Sequence, residues 1–148
     1  MIPRSALVLG LTGLIPFVWG AFSQLVPALG DWGTVTLGPR FVGPYVSLSY
    51  GIVILAFMSG VLWGFSTYAK AKVATIGYGL SVLPALWAFL FVGGGPDSAA
   101  RWLAAGFVGL LGLDYVFWRQ GLAPNWWMHL RLMLTAGVVT CLVVPMWI

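Results

Sequence analysis

The stretch "YVSLSYGIVILAFMSGVLWGFSTY", Tyr45–Tyr68, decides the class of fold, because it is long, apolar and free of charged residues. A helix needs about 20 residues to cross the roughly 30 Å hydrocarbon core of a bilayer. Backbone polar groups find no partner in lipid, so a spanning segment must bond its own backbone, as a helix does. The stretch therefore predicts a transmembrane helix over residues 45–68.

Four further apolar segments meet the same length requirement, and they lie at residues 5–29, 73–93, 99–118 and 127–148. The alternating segments of about ten residues that a transmembrane β-barrel requires do not occur in the sequence. The longest connection, residues 30–44, is rich in glycine and proline and predicts an irregular linker with a brief turn at the membrane interface. The sequence thus predicts an all-α polytopic membrane protein, a five-transmembrane-helix bundle in a single integral membrane domain, residues 1–148.

The composition agrees with lipid as the main solvent of the chain. Of the 148 residues, 61% are hydrophobic and 7% are charged, whereas a soluble domain carries about 25% charged residues. The formal net charge of +4 comes from dispersed basic residues that form no run, so it does not favour nucleic acid as a partner. The partner that the composition predicts is the lipid bilayer.

The distribution of the basic residues predicts how the chain is oriented in the membrane. With five spans, one side of the membrane holds Arg4, Lys70, Lys72, Arg119 and Arg131, and the other holds Arg40 and Arg101. Positively charged loops stay preferentially in the cytoplasm. We therefore expect a multi-pass protein of the bacterial inner (cytoplasmic) membrane, with a cytoplasmic N-terminus and a periplasmic C-terminus.

The chain is poor in residues that carry chemistry. It has one histidine and one cysteine, whereas a zinc site usually takes three or four ligands from Cys, His and carboxylates. The sequence contains no phosphate-binding loop motif. Catalysis generally requires positioned acid–base or nucleophilic groups. We therefore expect a protein that is not an enzyme and that holds no metal or cofactor.

One aspartate, Asp114, lies inside a predicted span, about one turn before the end of the fourth. A charge in a span costs roughly 2.5–3.5 kcal/mol at the bilayer centre and less near its edge, so a compensating partner is expected. Arg131 lies one turn into the fifth span, at a similar depth if the two helices are antiparallel neighbours. This spacing predicts a structural ion pair between Asp114 and Arg131, and a proton or ion site is the alternative.

Aromatic and small residues give further expectations about helix ends and helix contacts. Residues suited to the headgroup layer stand near the ends of the last two spans, namely His129, Trp118, Trp126 and Trp127. Glycines that allow close approach of helices lie in the second and fourth spans, namely Gly60, Gly64, Gly106, Gly109 and Gly112. We expect the glycines to pack helices or dock a partner, and Pro16 and Pro84 to bend the first and third spans.

Four segments occur in order along most of the chain: "LGLTGLIPFVWG", "SYGIVILAFMSGVLWG", "SVLPALWAFL" and "GLDYVFWRQGLAPNWWMHLRLMLTAGVV". Together they resemble an uncharacterised family of five-span inner-membrane proteins of bacteria and mitochondria, a domain of unknown function. The family's small-residue segment of the second span is matched by Phe57, Gly60, Trp63 and Gly64, with Ser59 as a departure. The resemblance implies a five-helix fold in an energy-coupling membrane and no assigned activity.

Two functions are compatible with these features. The favoured one is a non-catalytic accessory or assembly subunit that packs against a larger energy-transducing membrane complex, respiratory or photosynthetic. It is supported by the small size, the scarcity of reactive groups and the many small residues. The alternative is a small transporter or lipid-binding membrane protein with a polar site near Asp114 and Arg131.

Overall fold

The computed structural model describes residues 1–147. Regular secondary structure in these residues is entirely helical, and five helical segments are long and apolar enough to cross a membrane. The spans are Arg4–Leu25, Gly43–Ser66, Ala71–Phe91, Pro96–Arg119 and Trp127–Met146. The all-α class and the five spans are confirmed, while the observed boundaries differ from the predicted ones by a few residues, and residue 148 lies outside the described part.

Within residues 1–147 the spans and their connections comprise eight α-helices and two short 3-10 turns. The α-helices are α1 (Arg4–Thr12), α2 (Ile15–Leu25), α3 (Pro27–Thr36), α4 (Gly43–Ser66), α5 (Ala71–Ser81), α6 (Leu83–Phe91), α7 (Pro96–Arg119) and α8 (Trp127–Val143). The 3-10 turns are Pro39–Phe41 and Val144–Met146. The first span consists of α1 and α2, and the third consists of α5 and α6.

The prediction of an irregular linker over residues 30–44 was wrong for residues 30–36, which belong to α3, whereas a short 3-10 turn does follow at Pro39–Phe41. Val26 is extended, as expected for a residue that precedes a proline, so α2 ends at Leu25. Pro27 then opens a new helix, since the first helical position needs no backbone N–H donor. The linker is tied back to α2 by the Trp19 indole, whose Nε1 donates a hydrogen bond of 2.7 Å to the carbonyl oxygen of Phe41.

Two of the spans are broken inside the membrane. Each break falls two residues before a proline, Pro16 or Pro84. A proline donates no backbone hydrogen bond, and its ring clashes with the carbonyl group four residues earlier. At the second break, Ser59 Oγ of α4 accepts a 2.9 Å hydrogen bond from the backbone N–H of Ala85. A neighbouring helix therefore supplies a bond that the interrupted span cannot make with itself.

Helix α4 lies at the centre of the bundle and packs against α2, α5, α6 and α7. The core around it is apolar and is built from Phe17, Leu55, Met58, Leu62, Ala88, Leu103, Ala104, Phe107, Leu110, Phe117, Val138 and Leu142. Helix α8 packs mainly against α7, and it also contacts α2 and α1. This arrangement brings the last turns of α7 beside the first turns of α8.

Candidate functional site

The polar site of the bundle forms where α7 ends and α8 begins. Residues 120–126 connect the two helices, and Gly121 has a positive φ of 71°, a conformation that glycine adopts without a steric cost. The connection is short, so the chain reverses at once and α8 packs against α7. Asp114 of α7 and Arg131 of α8 thereby lie at the same level.

Asp114 is completely buried, with 0% of its surface exposed, and both of its carboxylate oxygens are bonded. Arg131 Nε donates to Oδ2 at 2.7 Å, so the predicted partners form an ion pair. Trp127 Nε1 donates to Oδ1 at 2.9 Å. Trp127 is therefore more than the interfacial residue that the sequence predicted, since its indole belongs to the polar site and its ring packs edge-on against Phe65.

Among residues 1–147, the hydrogen bond from Arg131 to the carboxylate is made through Nε. Arg131 and Thr135 are 5% and 4% exposed. Their Nη2 and Oγ1 atoms are buried without a hydrogen-bond partner among residues 1–147. Residues four apart on a helix lie on the same face, so these two groups form one polar strip on α8. A buried donor without a partner costs about 1–3 kcal/mol, which makes the strip unusual for a purely structural element.

The polar strip borders a cavity of about 300 Å³. The cavity is a half-open groove between α1, α2, α4, α7 and α8, and apart from Arg131, Thr135 and Tyr50 its lining is apolar. Its lining consists of Leu9, Gly10, Gly13, Leu14, Phe17, Tyr50, Ile54, Phe57, Met58, Phe107, Arg131, Leu134, Thr135 and Val138. Two of these residues, Leu9 and Phe57, are 71% and 63% exposed on the outer surface of the bundle. The cavity therefore lies next to the surface that faces lipid.

The break in the first span lies in the wall of this cavity, because Gly13 and Leu14 both line it. Irregular backbone at membrane depth is tolerated where it is buried in protein or faces a cavity. In membrane transporters, interrupted helices commonly border the binding sites. The broken helix and the polar strip of α8 thus meet in one place.

The remaining residues predicted at the interface, His129, Trp118 and Trp126, do not line the cavity. His129 is exposed, and Trp118 and Trp126 are half-buried. The rings of Trp126 and Trp127 lie 5.9 Å apart between centroids. Across residues 1–147, no group of three or more His, Cys, Asp or Glu side chains is arranged to hold a metal ion.

The glycines predicted to pack helices fall into two classes. A Cβ atom on Gly106 would lie 2.7 Å from Cδ1 of Trp87 and 3.0 Å from Cδ1 of Leu55, so Gly106 makes a close helix contact. A Cβ atom on any of the others would have no neighbour within 4 Å in the described part of the chain; these are Gly60, Gly64, Gly109 and Gly112. The second class therefore does not pack helices within residues 1–147.

Sequence reasoning gave no role in the polar site to Thr135 or Tyr50, and it missed the second role of Trp127. The spacing of Arg131 and Thr135 could have indicated Thr135, because residues four apart share a helix face. Tyr50 lies on a different span, and only the packing of α4 against α2 and α7 brings it to the cavity. The bond from Trp127 to Asp114 depends on the angle at which α8 leaves the connection, which the sequence does not indicate.

Comparison with known proteins gives matches over almost the entire chain. Transmembrane protein 69 of Xenopus tropicalis is 32% identical over 145 residues, which make up 95% of this chain and 53% of the relative. The chain thus spans about half the length of this curated relative. No solved structure matches the chain. The profile of DUF3429, described as a protein of unknown function, matches residues 2–147. The resemblance to an uncharacterised membrane family is therefore confirmed, and the chain belongs to the DUF3429 family.

Proposed function

We propose that this protein binds a lipid-soluble molecule in the cavity between α1, α4 and α8 and catalyses no reaction. The observation that carries the proposal is that Arg131 and Thr135, each with a buried polar group that has no partner, both line an otherwise apolar cavity. Buried polar groups are normally hydrogen-bonded. A ligand with an acceptor atom would satisfy both groups and bury its apolar part against the surrounding side chains.

A non-catalytic role is supported by what the polar groups already bind. Both oxygens of the Asp114 carboxyl group accept hydrogen bonds, from Trp127 and Arg131, so neither oxygen is free to contact a substrate. His129 is exposed and does not line the cavity. General acid–base catalysis needs a group within hydrogen-bond reach of the reacting atom.

Filling the cavity is expected to displace the ligand. Ile54 of α4 is half-buried and lines the cavity, whereas Ile52 of the same helix is exposed and does not. Native mass spectrometry of protein purified in mild detergent should detect a bound lipophilic molecule in the wild type and in Ile52→Trp. Ile54→Trp should lose it, because the larger ring occupies the cavity. Equal retention by both variants would contradict the proposal.

A second candidate function is that of an accessory or assembly subunit of a larger energy-transducing complex. It is favoured by Gly60 and Gly64, four residues apart on α4, which have open space above them and stand beside the half-exposed ring of Trp63. Glycines at this spacing allow the backbone of another helix to approach closely. In this proposal, a helix of a partner membrane protein lies on that face of α4.

The accessory role predicts a specific loss of partners. Replacing both Gly60 and Gly64 by isoleucine should leave the fold intact, because a Cβ atom at either position has no neighbour within 4 Å in the described chain. The same change should block close approach of a second helix. Blue-native electrophoresis of solubilised membranes should then show the protein leaving a large complex. A double variant that keeps all the partners of the wild type would rule out this docking face.

We further propose that the protein resides in the inner membrane of a bacterium, with its N-terminus in the cytoplasm and its C-terminus in the periplasm. The support is the distribution of Lys and Arg between the two sides of the membrane, which is five to two in the sequence and four to two when the buried Arg131 is left out. Alkaline phosphatase, which is active only in the periplasm, should be active when fused after the last residue. Green fluorescent protein, which fluoresces in the cytoplasm, should be dark at the same position, and the reverse result would overturn the orientation.

A further inference from the structure

We propose that the cavity selects uncharged lipid-soluble molecules that carry a carbonyl oxygen, which Arg131 and Thr135 hold when their buried Nη2 and Oγ1 atoms turn towards the cavity that both residues line. The inference rests on the proposed function, since it assigns the chemistry of the molecule that the cavity binds. Three properties of the site lead to it, namely its net charge, the kind of hydrogen-bonding groups it offers, and the way these groups are arranged along the apolar cavity.

The net charge of the site excludes charged ligands. Asp114 and Arg131 are nearly or completely buried and form a pair of opposite charges. The guanidinium is therefore already neutralised. A carboxylate or phosphate placed beside it would bring an uncompensated charge into a medium of low dielectric constant, where an unpaired ion is strongly disfavoured. A ligand with an uncharged head group avoids this electrostatic cost.

The unpartnered groups on α8 are donors, so a ligand must offer an atom that accepts hydrogen bonds. A guanidinium can only donate hydrogen bonds, and a threonine hydroxyl can donate one. Trp127 donates to Oδ1 of Asp114 and Arg131 donates to Oδ2 through Nε, and the buried Nη2 group has no acceptor among residues 1–147. A carbonyl oxygen has two lone pairs and brings no donor that would itself need a partner.

The arrangement of the groups fits a head with an apolar tail. The two donors stand one helical turn apart on α8, and the cavity continues along α8 to Val138. A volume of about 300 Å³ lies at the lower end of the range of ligand pockets. It accommodates the head and the beginning of a tail. The rest of a longer tail would leave past the exposed side chains of Leu9 and Phe57 into the bilayer.

Four small probes separate the alternatives when the protein is held in dodecyl maltoside, a detergent without charge or carbonyl group. They are a decyl-substituted benzoquinone, methyl laurate, dodecane, and laurate at about pH 8, where a carboxylic acid is ionised. A ligand that binds only the folded state raises the Tm in a saturable manner. We expect saturable increases with the quinone, the ester or both, and none with dodecane or laurate. The stronger of the two carbonyl probes identifies whether the natural head is a quinone or an ester.

The two donors can be tested separately from the fold. Thr135→Val keeps the shape of the side chain and removes the hydroxyl, and Thr140→Val makes the same change at an exposed position of α8. We expect Kd for the carbonyl probes to rise about tenfold in Thr135→Val, the cost of one hydrogen bond of about 1.4 kcal/mol, and to stay unchanged in Thr140→Val. Arg131→Lys, which retains the charge beside Asp114 but not the forked guanidinium, should weaken the carbonyl probes at least as much.

The outcomes distinguish the two proposals. If laurate or dodecane binds as well as the carbonyl probes and Ile54→Trp abolishes all binding, the cavity is a binding site but the carbonyl assignment is overturned. If the carbonyl probes bind equally well to Thr135→Val, Arg131→Lys and the wild type, the assigned donors are wrong. If no probe binds and the purified protein retains no molecule that Ile54→Trp displaces, the proposed function falls as well.

Discussion

Asp114→Asn and Arg131→Met should each destabilise the protein by about 3–5 kcal/mol, the range for removing one partner of a buried pair. Either variant leaves one charged group without its counterion at membrane depth. The sequence alone predicts a smaller loss, because a position one turn from the end of a span suggests a half-solvated pair. The structure gives exposures of 0% for Asp114 and 5% for Arg131, so the larger value applies.

The double variant Asp114→Asn/Arg131→Met should recover part of this loss, since no lone charge remains. Thermal unfolding in detergent, followed for the wild type, both single variants and the double variant, measures the coupling between the two positions. Arg119→Met is the control, because Arg119 is exposed and bonds only to the Tyr115 hydroxyl among residues 1–147. A coupling free energy of zero would show that the Asp114–Arg131 pair does not stabilise the fold. Asp114 would then again be a candidate proton-binding residue.

The second large effect is expected at Gly106. Gly106→Leu would push a side chain into the indole of Trp87 and the buried side chain of Leu55, and it would disturb the 2.8 Å hydrogen bond from Trp87 Nε1 to the carbonyl oxygen of Trp102. Forcing extra atoms into a packed core typically costs about 1–3 kcal/mol. The variant should therefore show a clearly lower Tm.

Gly109→Leu provides a matched comparison for Gly106→Leu on the same helix. Its new side chain has open space in the described chain, and leucine favours a helix over glycine by somewhat less than about 1 kcal/mol. We expect its Tm to equal or exceed that of the wild type when both are measured in the same detergent. Equal losses in the two variants would mean that the contact between α6 and α7 does not determine the tolerance of these positions.

The number and placement of the spans follow from length and hydropathy, because lipid admits few alternatives to a continuous helix. The Asp114–Arg131 pair is also predictable, since two charges at equal depth on consecutive helices have few other partners. The linker was mispredicted because Pro27 can both end one helix and begin the next. Only the structure distinguishes a proline that bends a helix from one that starts a new element.

The cavity could not be derived from the sequence in the same way. Its lining comes from five helices, and their relative angles depend on side-chain packing and not on the pattern of any single span. The same holds for the glycines: Gly106 and Gly109 look alike in the sequence, but only a Cβ atom on Gly106 would meet a side chain of α6. Trp127 resembles its neighbour Trp126 in sequence, yet only its indole reaches Asp114.

The break after Thr12 divides the first span into two parts of unequal mechanical stiffness. Helix α2 is anchored by Phe17, Gly20, Ala21 and Ser23, which are buried in the bundle, whereas α1 has no buried residue and packs mainly against α8. Displacing α1 would therefore strain few contacts and leave the core around α4 in place. The side of the cavity formed by α1, which includes Leu9 and Gly10, is therefore held by fewer contacts than the other sides.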